Sequence, residues 1–372
     1  MLELSVVHSP GHCSNTDSNS PWLMRHPSIS ITRTAHSMYN YSHGTTHFQY
    51  HHVLLFMFET INHTLFCRLF LMSLFAGCAS NEHTMLKRLP QLIPDHTVSV
   101  DGVTINYTAH RLPDARPTII LIHGFGASLE TWDDLYPLLC VRNSVVRMDL
   151  KGSGFSSKPK DAKYAPLDQA RLLLHLFEVL NLTNVVLVGH SLGGGIVLLN
   201  YFESLKSSQG IVVKGMILID SAGYSQSLPF FVSAVRNPIT RLFSGLMPPF
   251  NRARFVLNRI FAVKEQLTPE RIHRYSFFLD MPGSRYALHQ TAVDIVPENL
   301  SALSSQIPTI QIPTLIIWGQ DDPVIAVTNA LRFHHNIEGS QIVILDKTGH
   351  VPQEERPQET FEAIDAFLQS LK

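Results

Sequence analysis

The sequence has few charged residues and few cysteines for its length. Only 16% of its 372 residues are Asp, Glu, Lys or Arg, the formal net charge is −1, and there are four cysteines. A near-neutral chain lacks the excess of basic residues that binding to a phosphate backbone requires, so we expect no nucleic-acid partner. Only Cys78 and Cys140 follow residue 70, and we expect no stabilising disulfide between them.

One apolar run near the N-terminus has the features of an export signal. Arg68 precedes a nine-residue apolar run that ends in Ala76 and Gly77, directly before Cys78. The run is too short to span a bilayer and suits the apolar region of a secretory signal. Small residues followed by cysteine resemble the cleavage site of a bacterial lipoprotein, which implies an exported protein attached to the membrane through a lipidated Cys78. The alternatives are an ordinary cleaved signal and a buried apolar helix in a cytoplasmic protein.

The residues around this run are polar. Residues 1–56 lack a sustained apolar period, so we expect them to be disordered or, if Met57 is the true start, an artefact of start-site choice. Eight histidines occur in residues 1–52, but their spacing is irregular and only one cysteine accompanies them, so no metal site is expected. We assign residues 57–78 to the signal-like segment and residues 79–95 to a tether.

The rest of the chain alternates between apolar runs and segments with helical spacing. This pattern predicts an α/β fold with a mostly parallel, eight-stranded sheet covered by helices on both faces, formed by residues 96–223 and 301–372. Trp132 and Trp318 are expected in its core. The predicted strands lie near residues 97–100, 103–110, 117–123, 144–149, 184–189, 212–219, 314–318 and 341–346.

Residues 224–300 interrupt this alternation. Phenylalanines recur there at helical spacing, which predicts a helical lid inserted between two strands, with Phe230 and Phe231 lining a substrate pocket. Residues 225–290 contain nine Lys or Arg and three acidic residues. The outer face of the lid therefore either contacts anionic lipid or is an ordinary solvated surface over an apolar core.

A serine lies between an apolar strand and a helix in the segment VVLVGHSLGGG. Ser191 occupies the turn, and Gly189, Gly193 and Gly194 remove side chains that would collide around it. A dinucleotide-binding turn is the alternative, but a serine replaces its middle glycine and no acidic residue ends a strand about 20 residues later. The pattern favours an exposed nucleophile, with His190 either lining the pocket or filling a variable position.

The groups that a nucleophilic serine requires follow other predicted strands. The amides of Phe125 and Leu192 are candidates for an oxyanion hole. Asp322, with Asp321 in reserve, follows a later strand, and His350 follows the last one. Taken singly, such an aspartate is often a helix cap and such a histidine a loop residue. Their order along the chain, each at the end of a strand, predicts a Ser-Asp-His triad.

The motifs HGFG (123–126), DLKGSGFS (149–156), GHSLGG (189–194), WGQDD (318–322) and TGHVPQEERP (348–357) together resemble the α/β-hydrolase superfamily of esterases, lipases and related enzymes. The resemblance begins near residue 97 and implies that Ser191 is the nucleophile, His350 the base and Asp322 the acid. Within these motifs, Asp149 and Ser153 are expected to shape a loop near the site and Glu354 to brace the His350 loop. Ala326 stands where the family often has proline.

A serine nucleophile narrows the chemistry. Within this superfamily, epoxide hydrolases and dehalogenases use an aspartate, whereas serine forms an acyl enzyme with a carbonyl substrate. The sequence therefore predicts hydrolysis of a small-molecule or lipid carboxylic ester, without a metal or organic cofactor. A carbon–carbon bond hydrolase of ring-cleavage products and a non-catalytic, anchored binding protein are the alternatives. HGFGASLETW lacks the longer loop that such carbon–carbon hydrolases usually have, which favours an ester.

Overall fold

The computed structural model describes residues 92–113, 116–207, 210–244 and 246–371. The predictions for residues 1–56, for the signal-like segment with Cys78 and for nearly all of the tether lie outside these residues. Within them, no helix combines the length and apolar character needed to cross a bilayer. Cys140 is a free, half-buried thiol.

Eight strands form one sheet in the order β1-β2-β4-β3-β5-β6-β7-β8. β1 pairs with β2, and β2 with β4, in antiparallel orientation, and all the other pairs are parallel. The predicted mostly parallel, eight-stranded sheet is confirmed. The strands are β1 (His96–Val100), β2 (Val103–His110), β3 (Thr118–Ile122), β4 (Val145–Met148), β5 (Asn184–His190), β6 (Val212–Ile219), β7 (Thr314–Gly319) and β8 (Gln341–Leu345).

Helices connect the parallel strands and cover the sheet. Outside the lid they are α1 (Tyr136–Cys140), α2 (Pro166–Val179), α3 (Leu192–Ser204), α9 (Leu300–Gln306), α10 (Thr328–Asn336), α11 (Pro352–Glu355) and α12 (Pro357–Ser370). The lid contains α4 (Phe230–Arg236), α5 (Pro238–Ser244), α6 (Pro249–Ile260), α7 (Pro269–Asp280) and α8 (Ser284–Asp294). Short 3₁₀ turns lie at Leu129–Trp132, Lys264–Gln266 and Ile307–Thr309.

The central parallel strands are mostly apolar because both faces of the sheet are covered there, whereas β1 and β2 also contain several polar residues. Alternate residues of β3 point to opposite faces: Ile120 packs with helices α2, α3 and α10, while Leu121 packs with α1 and α12. Trp132 and Trp318 are fully buried, as expected. The lid has a small apolar core of its own, which includes Leu257 and Ile272.

Helix α3 approaches the end of β3 so closely that its second residue must be glycine. A Cβ atom on Gly193 would lie 2.3 Å from the carbonyl oxygen of Ile122, whereas one on Gly195 would meet nothing closer than 3.5 Å. We expect Gly193→Ala to lower the free energy of unfolding by about 2 kcal/mol or more. Gly195→Ala is the matched control and is expected to raise it by up to about 1 kcal/mol. Urea unfolding of the two variants measures the difference, and equal stabilities would contradict the close contact.

Candidate active site

Ser191 lies in a tight turn between β5 and α3. Its backbone has φ 54° and ψ −120°, a conformation that side-chain-bearing residues rarely adopt, and its amide donates to the Ile219 carbonyl at 3.0 Å. A Cβ atom on Gly189 would lie 2.5 Å from the Gly193 carbonyl oxygen. The glycines therefore allow the turn that places the Ser191 side chain at the carboxyl edge of the sheet.

Three predicted side chains meet in hydrogen-bonded order at this edge. The Ser191 hydroxyl donates to Nε2 of His350 at 2.9 Å, and the Nδ1–H of His350 donates to Asp322 at 2.8 Å. The other Asp322 oxygen accepts the amides of Val324 at 2.7 Å and Ile325 at 3.1 Å. Burial acts to raise the pKa of Asp322, but His350 and these hydrogen bonds hold it below its usual value. Asp321 is exposed and is not part of this chain of contacts.

A second acidic residue, which the sequence reasoning missed, lies beside Asp322. Asp220 directly follows β6, is fully buried, and accepts the Gly319 amide at 3.0 Å. Burial, followed by the charge of Asp322, raises the pKa of Asp220 well above its usual value. Asp220 is therefore the weaker acid of the two neighbouring carboxyl groups. The available signal was an aspartate directly after the apolar strand in LIDSAG.

Asp220, Asp322 and His350 also form the one cluster of three potential metal ligands in the part of the chain that the structure describes. Their candidate ligand atoms lie within 4.8 Å of one another. Both ring nitrogens of His350 already have partners in Asp322 and Ser191. Metal binding would displace at least one of these contacts, so the geometry favours proton transfer over metal coordination.

The candidate oxyanion donors flank the serine. Leu192 is the first residue of α3, where backbone amides have no acceptor within their own helix. Phe125 follows Gly124, on which a Cβ atom would lie 3.1 Å from Cβ of Ser191. The loop after β3 therefore contacts the serine directly, and Phe125, Ser191 and Leu192 line one cavity. The assignment of their amides to an oxyanion hole stays a prediction.

Two apolar cavities meet at Ser191. Cavity A has a volume of about 130 Å³ and lies between the loop after β6, the start of α4 and residues 295–303. Cavity B has a volume of about 120 Å³ and lies between the loop after β3, helices α6 and α7, and His350. Both are lined by Ser191, Phe125 and Phe231, and the two phenylalanine rings stack at a centroid distance of 6.1 Å.

Two of the three predicted pocket residues line the cavities, and the third does not. Phe231 lines both cavities and His190 lines cavity B. The prediction for Phe230 is wrong, because its side chain is 44% exposed and lines neither cavity. Consecutive helical residues point about 100° apart, so Phe231 turns inward and Phe230 turns outward to Phe255 and the Arg259 guanidinium.

His190 supports the backbone of the candidate base. Its Nε2–H donates to the His350 carbonyl oxygen at 2.6 Å. Burial, followed by the charge of His350, lowers the pKa of His190 to about 3, so the ring is neutral near pH 7. Nδ1 of His190 has no hydrogen-bond donor among the described residues.

This burial makes stability depend on pH. Between about pH 3 and pH 6.5 the unfolded chain binds a proton at His190 that the folded chain does not. The stability that the neutral, buried His190 contributes is fully present above pH 6.5. It is lost by up to about 1.4 kcal/mol per pH unit as the pH falls from 6.5 towards 3. Between pH 7 and pH 4, the free energy of unfolding measured in urea is expected to fall less steeply with decreasing pH in His190→Gln than in the natural protein. Parallel curves would contradict a neutral, buried His190.

Two adjacent glutamates link the sheet to the lid. Glu354, expected to brace the His350 loop, instead accepts from Thr131 and Tyr275 at 2.5 Å and pairs with Arg271 at 3.2 Å. Glu355 holds that loop: it accepts the Val351 amide at 3.3 Å and, beyond α6, the amides of Ala262 and Val263 at 2.7 and 2.8 Å. Glu354 and Glu355 are consecutive residues of the helix α11, so their side chains point in different directions and only Glu355 faces the His350 loop.

Asp149 organises the loop that follows β4, as expected. Its carboxylate accepts the amides of Leu129 and Phe155 and the Asn106 side-chain amide, each at 2.8 Å. At Gly154, with φ 48°, a Cβ atom would lie 2.1 Å from this carboxylate. Ser153 lies in the same loop, on the wall of a small neighbouring cavity.

Comparison with known families agrees with this geometry. The profile of the Alpha/beta hydrolase family matches residues 119–363, and the chain belongs to this family. It is 28% identical to the uncharacterized hydrolase YugF of Bacillus subtilis over 74% of this chain and 98% of YugF. It is 26% identical to the monoacylglycerol lipase abhd6-B of Xenopus laevis over 72% of this chain and 79% of that protein.

Solved structures share the same architecture. A membrane phospholipase A superposes with a TM-score of 0.60 at 27% identity, over 83% of this chain and 99% of the phospholipase. A meta-cleavage product hydrolase from Pseudomonas fluorescens IP01 superposes with a TM-score of 0.63, over 75% of this chain and 99% of that enzyme. At 22% identity, the second match indicates the common fold alone.

Proposed function

We propose that the protein hydrolyses carboxylic esters through an acyl enzyme on Ser191. The observation that carries the proposal is the hydrogen-bonded series from Ser191 through His350 to Asp322. In the first step Ser191 attacks the ester carbonyl while Nε2 of His350 takes the hydroxyl proton. The ionised Asp322 keeps the Nδ1–H tautomer and stabilises the imidazolium.

The same groups act in the later steps, which are release of the alcohol and hydrolysis of the acyl enzyme. The carbonyl oxygen gains negative charge and accepts from the Phe125 and Leu192 amides. When the intermediate collapses, the carbon–oxygen bond to the alcohol breaks and His350 gives its proton to the leaving oxygen. His350 then takes a proton from water, which attacks the acyl carbon. When this second intermediate collapses, the bond between the acyl carbon and the Ser191 oxygen breaks, His350 returns the proton to that oxygen, and the acid is released.

The charge of the two cavities favours an ester over the main alternative. Ring-cleavage products hydrolysed at a carbon–carbon bond are acids, and their carboxylate requires a cationic partner. Neither cavity is lined by a lysine or an arginine. The similarity to a monoacylglycerol lipase and a membrane phospholipase A supports a lipid ester as the substrate class.

Covalent labelling separates an enzyme from a binding protein with this fold. A fluorophosphonate probe is expected to label the protein, and labelling is expected to disappear in Ser191→Ala but not in Ser153→Ala, a nearby serine outside the triad. A panel of p-nitrophenyl esters and one vinylogous diketone acid then separates the two reactions. Absence of labelling, or cleavage of the diketone acid alone, would refute the proposal.

Membrane attachment through a lipidated Cys78 remains a separate proposal, supported by the sequence around Arg68 and Gly77. Exposed apolar residues on α5 and next to it, among them Leu242, Phe243 and Leu246, are compatible with a lipid-facing lid. Mass spectrometry of the membrane fraction tests the anchor directly. A diacylglyceryl group on Cys78 is the expected result, and an unmodified Cys78 in a soluble fraction would refute it.

A further inference from the structure

The two cavities differ in one respect that bears on the substrate: His350 lines cavity B and does not line cavity A. We infer that the substrate is an uncharged ester with an apolar group on each side of the carbonyl, and that its acyl group occupies cavity A and its alcohol group cavity B. The inference rests on the proposed function, because it assigns the two halves of an ester to the site around Ser191.

The order of the reaction fixes this orientation. In the tetrahedral intermediate the carbon carries the serine oxygen, the oxyanion, the acyl group and the alcohol oxygen. The alcohol oxygen receives its proton from Nε2 of His350, so it lies within hydrogen-bond distance of that nitrogen. The alcohol group therefore extends into the cavity that contains His350, and the remaining substituent, the acyl group, is left with cavity A.

The wall of cavity B explains why the alcohol is apolar. Its lid side is formed by Ala253, Val256 and Leu257 of α6 and by Leu279 of α7. On this wall the Tyr275 hydroxyl donates to Glu354 and Nε2 of His190 donates to the His350 carbonyl, while Nδ1 of His190 has no partner among the described residues. The wall contains no aspartate, glutamate, lysine or arginine side chain, so an ionic head group buried there would lack a partner of opposite charge.

Cavity A is mostly apolar, and its polar side chains other than Ser191 are the uncharged Tyr224, Ser225 and Gln226. Leu199, Leu228 and Val232 line it, together with Leu300 and Leu303 of α9. The hydroxyl of Tyr224 accepts a hydrogen bond from the Asn336 side-chain amide at 2.9 Å. The Arg332 guanidinium stacks over the Tyr224 ring, 3.9 Å from its centroid. No acidic or basic side chain lines this cavity, so a carboxylate on the acyl group would also be buried without a partner.

Two isomeric esters test the assignment. Octyl acetate and ethyl octanoate have the same composition, but the first has its long chain on the alcohol and the second on the acid. Val256 and Leu228 are half-buried and line only cavity B and only cavity A, respectively. Val256→Trp and Leu228→Trp therefore narrow one cavity each in the full chain, and kcat/KM is measured for both esters.

We expect Val256→Trp to lower the ratio of kcat/KM for octyl acetate to that for ethyl octanoate about tenfold, and Leu228→Trp to raise it by a similar factor. The natural protein is expected to hydrolyse both isomers and to disfavour monooctyl succinate, which carries a carboxylate on its acyl group, by at least tenfold. Val256→Phe and Leu228→Phe replace any tryptophan variant that fails to fold, as judged by thermal unfolding.

The result also separates this inference from the proposed function. Ratios that shift in the same direction in both variants, that do not shift, or that shift in the reverse sense would overturn the assignment of the cavities, even if every variant still reacts with a fluorophosphonate. Equal kcat/KM values for monooctyl succinate and the uncharged octyl acetate would overturn the requirement for an uncharged acyl group. Absence of both labelling and ester hydrolysis in the natural protein would refute the proposed function itself.

Discussion

Ser191→Ala is expected to lower kcat for a p-nitrophenyl ester by about 10⁴- to 10⁶-fold while changing KM little. The substitution removes the hydroxyl that lies 2.9 Å from Nε2 of His350, so no acyl enzyme forms. The amides near the site and the apolar cavities remain, and they are expected to support a residual rate above that of the uncatalysed reaction. Steady-state kinetics after exhaustive purification measure this loss.

The matching variant at His350 shows whether the two residues act as a unit. His350→Ala removes the proton acceptor, so its loss of kcat is expected to approach that of Ser191→Ala. The double variant is then expected to be little slower than either single variant. If the two losses instead multiplied, Ser191 and His350 would be acting independently, contrary to their direct hydrogen bond.

Asp322→Asn is expected to produce the second large loss, about 10³- to 10⁴-fold in kcat. Asparagine is nearly isosteric but cannot stabilise the imidazolium, and its amide group favours the wrong tautomer of His350. Asp220 limits the loss, because its carboxyl lies within 4.8 Å of the His350 ring nitrogen. In Asp322→Asn the negative charge of Asp322, which is the second largest cause of the raised pKa of Asp220, is removed. The pKa of Asp220 is therefore expected to fall, so that Asp220 can partly replace the missing carboxylate.

A double-mutant cycle measures this contribution of Asp220. We expect Asp220→Asn alone to lower kcat less than tenfold, and the variant with both asparagines to be at least about tenfold slower than Asp322→Asn. The two losses then combine to more than their product because each acid compensates for the other. If Asp220→Asn alone were as damaging as Asp322→Asn, the assignment of the acid to Asp322 would be wrong.

Local patterns in the sequence predicted the sheet and the three residues of the candidate triad. Most strands are apolar runs bounded by turn residues; Ser191 directly follows β5, Asp322 lies three residues after the end of β7, and His350 lies five residues after the end of β8. The ends of the predicted strands differ from the observed ones by at most one residue, because fraying strand ends leave little trace in the sequence.

The features that the sequence did not predict depend on neighbours that are distant along the chain. Asp220 acts beside Asp322 because β6 lies between β5 and β7 in the sheet, an order that local patterns do not encode. Phe230 and Phe231 begin a helix together, so the sequence does not define which of them faces inward. The same ambiguity applies to Glu354 and Glu355, which are adjacent in the short helix α11.

The C-terminal end of α6 is hydrogen-bonded to the loop that carries the candidate base. The His350 amide donates to the Ile260 carbonyl at 2.9 Å, and Glu355 accepts amides from both the α6 end and the His350 loop. Because of these hydrogen bonds, we expect an outward movement of α6 to displace the His350 imidazole from Ser191. For the proposed ester hydrolysis, we therefore expect ester entry and alcohol release to involve movement of other lid segments while α6 stays in place.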